Sequence, residues 1–245
     1  MNRNILLACS VSIGMLTGCQ DTFTDPPTAP LADEYYPLEV GRSITYQVDS
    51  IEYYETVAND TATWELKETI VDTFYDNQGR LNFRIERSIR QPGGNWQLSE
   101  VWSVLNNESK IERTEQNLKF IRLISPVETG GEWNAHLYLS DLSTIPVNQQ
   151  CNNLSFLEDW NYSYKEVGAS RTFNGLDFNN TATVMQTGEQ NLIEFNECEE
   201  VYAKGVGMVY RFFRHYTTQN ICPECEWEEN TECGYSVKMS VIEYN

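Results

Sequence analysis

Leu81-Asn82-Phe83-Arg84-Ile85-Glu86-Arg87-Ser88-Ile89-Arg90 is the stretch that decides the fold. Apolar side chains at 81, 83, 85 and 89 alternate with polar ones at 82, 84, 86 and 88. A period of two marks a strand with one buried face, because successive side chains point to opposite sides of a sheet. Asp76-Asn77-Gln78-Gly79 precedes it and Pro92-Gly93-Gly94-Asn95 follows it. Both clusters are turn chemistry, since Gly supplies positive φ and Asp and Asn bond their own backbone. Upstream, Trp64, Leu66, Ile70 and Phe74 recur at even spacing; downstream, Trp96, Leu98, Trp102 and Val104 continue the pattern. Three strands joined by tight turns predict an antiparallel meander.

The same reading extends to both ends of the chain. Ile44, Tyr46 and Val48 alternate with polar neighbours, and the slip of phase to Ile51 and Tyr53 predicts a bulge near Asp49-Ser50. Residues 118–124 are apolar on both faces and predict a central strand. A short helix is expected within 151–161, then strands over 160–195 broken at Asn174-Gly175 and at Gly188. Val206, Met208, Tyr210 and Phe212, and later Tyr235, Val237, Met239 and Val241, mark two closing strands. No stretch shows a long amphipathic helix. The expected fold is all-β: an antiparallel meander forming a strongly curved sheet or half-open barrel, with at most one or two short helices.

The N-terminus carries an address. Arg3, an apolar run from Ile5 to Leu16 and small residues ahead of Cys19 describe an export signal. Leu16-Thr17-Gly18-Cys19 resembles the lipobox of bacterial lipoproteins, which implies that Cys19 receives a diacylglyceryl group and becomes the first mature residue. The expected organisation is a signal peptide over 1–18, a lipidated cysteine with a Pro-rich tether over 19–32, and one β-rich domain over 33–245. Removing residues 1–18 from the 245 leaves 227, enough for a substantial core. The acyl chains must do the anchoring, because no later apolar run approaches the roughly 20 residues of a spanning helix.

Charge excludes one class of partner. Thirty-six acidic residues face 17 basic ones, for a formal charge of −19. Nucleic-acid binding needs Lys and Arg to neutralise phosphates, so no nucleic-acid partner is expected.

A second resemblance rests on strands. Tyr36-Pro37-Leu38-Glu39-Val40-Gly41-Arg42-Ser43-Ile44-Thr45-Tyr46 is similar to the opening strand of uncharacterised lipoproteins of the Bacteroidota, with Ile44 where an aromatic is common. Gly205-Val206-Gly207-Met208-Val209 is similar to a strand near the end of those proteins. The resemblance implies a β-rich outer-membrane lipoprotein, on the periplasmic or cell-surface face, and no particular activity. Asp49-Ser50-Ile51 and Asp60-Thr61-Ala62 also resemble the O-glycosylation acceptor of that phylum.

Cysteines are the sharpest local chemistry. In an oxidising envelope Cys151, Cys198, Cys222, Cys225 and Cys233 are disulfide candidates, and five thiols form at most two bridges. Cys222-Pro223-Glu224-Cys225 with Cys233 reads first as a stapled loop, with Cys151–Cys198 as the companion bridge. The competing readings are a Cys₃His zinc set completed by His215, and a reactive dithiol, which the glutamates of this loop disfavour. Glu224, Glu226, Glu228, Glu229 and Glu232 suggest a solvated acidic loop ahead of a Ca²⁺ site. His136 and His215 read as structural residues in strand context, and no nucleophile elbow or phosphate loop occurs. Trp64, Trp96 and Trp102 sit in apolar phase and read as core rather than as sugar-stacking platforms.

No catalytic residue, metal or cofactor is expected. The first reading is a non-enzymatic, lipid-anchored binding or structural module of the outer membrane, with a protein or glycan partner in the envelope. The second is a carrier or sensor holding an apolar ligand in a curved-sheet cavity. The third is a carboxylate-based enzyme acting on envelope glycans.

Overall fold

A computed structural model describes residues 29–55, 59–107, 109–139, 141–142, 154–158 and 160–245. Residues 1–28, with the expected signal, Cys19 and most of the tether, lie outside the described residues, as does Cys151.

Hairpin follows hairpin into a single antiparallel sheet of twelve strands. These are β1 (Ser43–Tyr53), β2 (Asp60–Tyr75), β3 (Leu81–Arg90), β4 (Gln97–Asn107), β5 (Lys110–Glu115), β6 (Leu118–Ile124), β7 (Glu132–Trp133), β8 (Tyr162–Phe173), β9 (Leu176–Gln190), β10 (Glu194–Ala203), β11 (Gly207–Thr217) and β12 (Cys233–Tyr244). Strand order runs from β6 down to β1, crosses to β12 and descends to β7. First and last strands pair, so the sheet curls into a barrel with one unsealed seam between β6 and β7. The expected all-β, strongly curved architecture is the one observed. Among the described residues helix is limited to α1 (Ala32–Tyr35), α2 (Trp227–Asn230), a 3-10 turn over Leu154–Leu157 and a 3-10 position at Leu142. Among the described residues no helix is long and apolar enough to cross a membrane.

Turn chemistry fixes the register. Asp76 accepts bonds from the Gln78 and Arg80 amides at 2.9 and 3.0 Å, and these bonds, Arg80's first, hold its carboxyl at about 2. Asn174 and Gly175 both have positive φ, as a two-residue hairpin turn requires. Gln116 and Asn117 take the same geometry between β5 and β6 without a glycine.

Four local expectations are corrected. Asp49-Ser50 is not bulged; its register is continuous against β2 and β12, and the irregularity falls at Thr45/Tyr46. Tyr53 is buried for another reason: its ring meets Tyr216 at 4.9 Å across Gly234, which pairs with both. Gly188 does not break a strand, since β9 runs through it to Gln190. Residues 118–124 form an edge strand, not a central one. Trp96 and Leu98 do not join the core, because a bulge opposite Arg87/Ser88 at Ser99 swaps their face. Leu98 is 59 % exposed, and Trp96 lies outside under Arg90, 4.4 Å from its ring.

The seam is closed by side chains and a short backbone contact. Ile121 N–H donates to the Ala135 carbonyl at 2.9 Å, and Trp133 Nε1 donates to Ile121 O at 2.9 Å. The Tyr164 hydroxyl accepts from Ile124 N–H at 2.9 Å and donates to Ile124 O at 2.7 Å. One phenol thus satisfies both backbone groups that a neighbouring strand would otherwise take.

At one barrel end the interior is filled. Tyr46 is fully buried and its hydroxyl donates to Met208 O at 2.9 Å, while Tyr36 packs 6.1 Å from Tyr202. Tyr35 of α1 donates to Asn180 Oδ1 at 2.7 Å.

Two substitutions test this architecture. Tyr164→Phe leaves both Ile124 groups unmet and should lower unfolding free energy by about 1–3 kcal/mol in urea titrations. The Ile124 amide should also exchange faster; unchanged stability and exchange would show that the seam does not rely on this hydroxyl. Gly234→Ala should cost about 2 kcal/mol or more, because φ is +150° and a Cβ would lie 2.2 Å from His215 O.

Candidate ligand-binding cavity

Beyond the filled end, the barrel interior holds a half-open cavity of about 650 Å³. Its walls are the inward phases of strands from β1 to β12, among them Val48, Trp64, Trp102, Phe120, Tyr162 and Phe213. Leu154, Phe156, Leu157 and Trp160, from the segment between β7 and β8, close one side. An aromatic wall links that segment to the sheet. Phe156 stacks on His215 at 4.1 Å, Trp160 meets Phe213 at 5.9 Å, and Phe213 stacks on Tyr235 at 4.9 Å.

Charges line the same space. Arg113 bonds Glu115 at 2.8 Å, and Glu115 also takes Arg122. Arg122 reaches Glu200 at 3.3 Å, and Arg211 stands 3.6 Å from the same carboxylate. Tyr202 donates to Glu200 at 2.6 Å. The chain therefore runs across the barrel, from β5 and β6 to β10 and β11, with Arg113 and Glu200 essentially without solvent contact. A second group, Arg87 with Glu68 and Glu100, lies beside it. Trp102 separates the two, with guanidiniums 3.6 Å (Arg87) and 4.9 Å (Arg113) from its ring.

Burial alone would raise the pKa of Glu115 and Glu200, but the surrounding arginines outweigh it and hold both below the usual carboxylate range. Burial would likewise discharge Arg122, yet Glu115 and Glu200 keep its pKa raised. The chain stays ionised. Burial pushes the Cys198 thiol up to about 12, so it is neutral, and it donates to Gln186 Oε1 at 2.9 Å.

Several cavity donors have no partner among the described residues: Trp102 Nε1, Trp160 Nε1 and Gln186 Nε2. Neither His136 nitrogen has one either. Its ring sits edge-on between Phe120 and Tyr162, at 5.7 and 5.5 Å. Burial, then Arg122, lowers His136 to about 4; burial lowers His215 to about 4, where its Nδ1 lies 2.6 Å from Asn196 Oδ1.

The sequence-predicted chemistry falls elsewhere. Cys222 and Cys225 are bridged, so they do not offer thiolates to a metal, and the bridge staples the loop between β11 and β12. Cys233 is also disulfide-bonded. Cys198 is not a disulfide partner but a free thiol facing the barrel interior, which corrects the expected Cys151–Cys198 pair. His215 points into the barrel, away from the zinc set proposed for it, and His136 lies in the turn after β7 rather than in a strand. In the acidic loop Glu228 bonds Arg214 at 3.1 Å and Glu232 accepts from the Gln219 amide at 2.7 Å. Trp102 belongs to the buried core and Trp64 packs against it, as expected, and both also line the cavity. The ion chain itself was missed. Its signal was a charge in the apolar phase of a strand, as in Phe120-Ile121-Arg122 and Cys198-Glu199-Glu200-Val201-Tyr202.

Comparison of the chain with protein families, with curated proteins and with solved structures gave no match.

The histidines set a pH dependence. An unfolded histidine binds protons below about 6.5, whereas His136 and His215 stay neutral in the fold until about 4. Acid therefore favours the unfolded chain, and stability should fall as pH drops from 6.5 towards 4, by up to about 3 kcal/mol per histidine. Urea midpoints at pH 7.5, 6.0 and 4.5 check this, and His136→Phe should flatten the slope. A midpoint independent of pH over that range would contradict it.

Proposed function

We propose that this protein is a lipid-anchored module of the cell envelope, a carrier or sensor that holds a small ligand with an apolar body inside its barrel. The observation that carries this reading is the cavity of about 650 Å³ walled by aromatic side chains, within the size range of small-molecule sites. A sheet serving only as scaffold would bury its inward phases against one another, as the Tyr35–Tyr36–Tyr46 end does.

Placement supports the anchor. Residue 29 stands ten positions after Cys19, a reach of at most about 35 Å. The described chain enters beside the filled end, where Val127 N–H donates to Pro30 O at 2.8 Å and Ala32 N–H to Ser125 Oγ at 2.9 Å. A lipid on Cys19 would tether that end and leave the cavity end facing away.

Hydrolysis by a carboxyl pair finds less support. Glu100 and Glu115 both line the cavity, but each is engaged by arginine, and Glu115 is held below the range in which it could carry a proton to donate.

Full-length protein carrying Cys19→Ser, titrated with 1-aminoanthracene, should bind it saturably with one-to-one stoichiometry and enhanced fluorescence. Val237→Trp, which fills the cavity from β12, should weaken binding at least tenfold. Absence of saturable binding would refute the carrier reading. For the anchor, labelled palmitate should enter the wild-type chain and not Cys19→Ser.

A further inference from the structure

The cavity's polar groups specify more than an apolar occupant. Among the unmet side-chain groups on its wall, Trp102 Nε1, Trp160 Nε1, Gln186 Nε2 and Arg211 Nε are donors; both nitrogens of the neutral His136 ring, one of them an acceptor, are unmet as well. The first three residues are more than nine-tenths buried: Trp102 is 7 %, Trp160 3 % and Gln186 2 % exposed. A buried donor without an acceptor is unfavourable, so these three donors, which come from β4, β9 and the residues ahead of β8, favour an occupant that brings acceptor atoms.

Charge locates that partner's polar end. The chain through Arg113, Glu115, Arg122, Glu200 and Arg211 holds three guanidiniums against two carboxylates, one positive charge in surplus. Glu68 and Glu100 around Arg87 carry the opposite surplus and Glu68 also acts on Arg113, whereas the carboxylates that act on Arg211 are Glu200 and Glu115, so the positive surplus falls towards Arg211. Arg211 is the least satisfied cation of the chain. Its Nε makes no hydrogen bond among the described residues, and Glu200, 3.6 Å away, is shared with Arg122. Gln186 and Arg211 both line the cavity and both approach Cys198: Gln186 Oε1 accepts its thiol, and the Arg211 guanidinium acts on it electrostatically and through a hydrogen bond that leaves Nε unmet. Around this spot Phe213, Tyr162 and Trp160 supply apolar surface.

We propose that the cavity takes a monoanionic amphiphile, an organic acid whose carboxylate meets Arg211 and the Gln186 amide while its apolar body lies along Phe213, Phe156 and Trp160. The protein's formal charge of −19 works against anion approach from solution, so the local surplus selects an acid that its apolar body already drives into the barrel. The acid head deepens the carrier reading above and rests on it.

A matched head-group series separates the two. Decanoate, decanol and decylammonium are used to displace 1-aminoanthracene from the full chain carrying Cys19→Ser. Decanoate should displace the probe at least tenfold more tightly than decanol, and decylammonium should be weakest. Arg211→Met should erase the preference for decanoate while decanol still competes, and Gln186→Leu should reduce it several-fold. If Arg211→Met does not fold, the wild-type series and Gln186→Leu decide. Equal affinity for decanoate and decanol, or preference for the amine, overturns the acid head yet leaves the carrier reading standing. Failure of the probe itself to bind overturns both.

Discussion

The contact between Arg122 and Glu200 is the constraint on which the rest of this barrel depends. Seventy-eight residues separate the two, and they sit on β6, at one end of the continuous sheet, and on β10, fourth from the other. Neither can be exposed by a small motion, since Arg122 is 3 % and Glu200 0 % exposed. Removing one partner of such a pair leaves an uncompensated buried charge, at a cost of about 3–5 kcal/mol. The chain therefore acts as a strap across the interior, complementing the few bonds at the β6–β7 seam.

That arrangement divides the interior in two. At the entry of the chain, tyrosines from α1, β1 and β10 fill the space and find acceptors for their hydroxyls. Past the strap, aromatic side chains line a cavity, and Trp102, Trp160 and Gln186 keep donors without acceptors among the described residues. Apolar replacement of a buried ion chain is often neutral or stabilising, so stability by itself does not call for one here. Under the carrier proposal, a ligand that needs both a greasy wall and a fixed charge would. Function and fold meet in the same residues.

Much of the fold was legible because alternation is local. Phe83, Ile85 and Ile89 identify β3 from their own spacing, and Asn174-Gly175 identifies its turn from its own backbone demands. Where the reading failed, a distant partner decided the outcome. Trp96 and Leu98 share parity with Trp102, yet one bulged residue at Ser99 moves them outside. Residues 118–124 are apolar on both faces because the seam around Ala135 and Trp133 covers an edge, which no local pattern distinguishes from a central position. The cavity was half legible. Aromatics in apolar phase were visible, but a closed core and a lined chamber use the same alternation. Arg122, Glu200 and Arg211 each interrupt an apolar phase, and only the closure of the sheet shows that the interruptions meet. Cys198 was read by compartment, whereas its place on the inner face of β10 beside Gln186 keeps it reduced.

A double-mutant cycle on the strap tests the central claim most directly, using unfolding free energies of wild type, Arg122→Met, Glu200→Gln and the double variant. The account predicts that each single change is strongly destabilising and that the double loses at least about 2 kcal/mol less than the sum of the two. Additivity within about 0.5 kcal/mol would contradict it, because the pair would then couple β6 to β10 no more than the seam contacts already do.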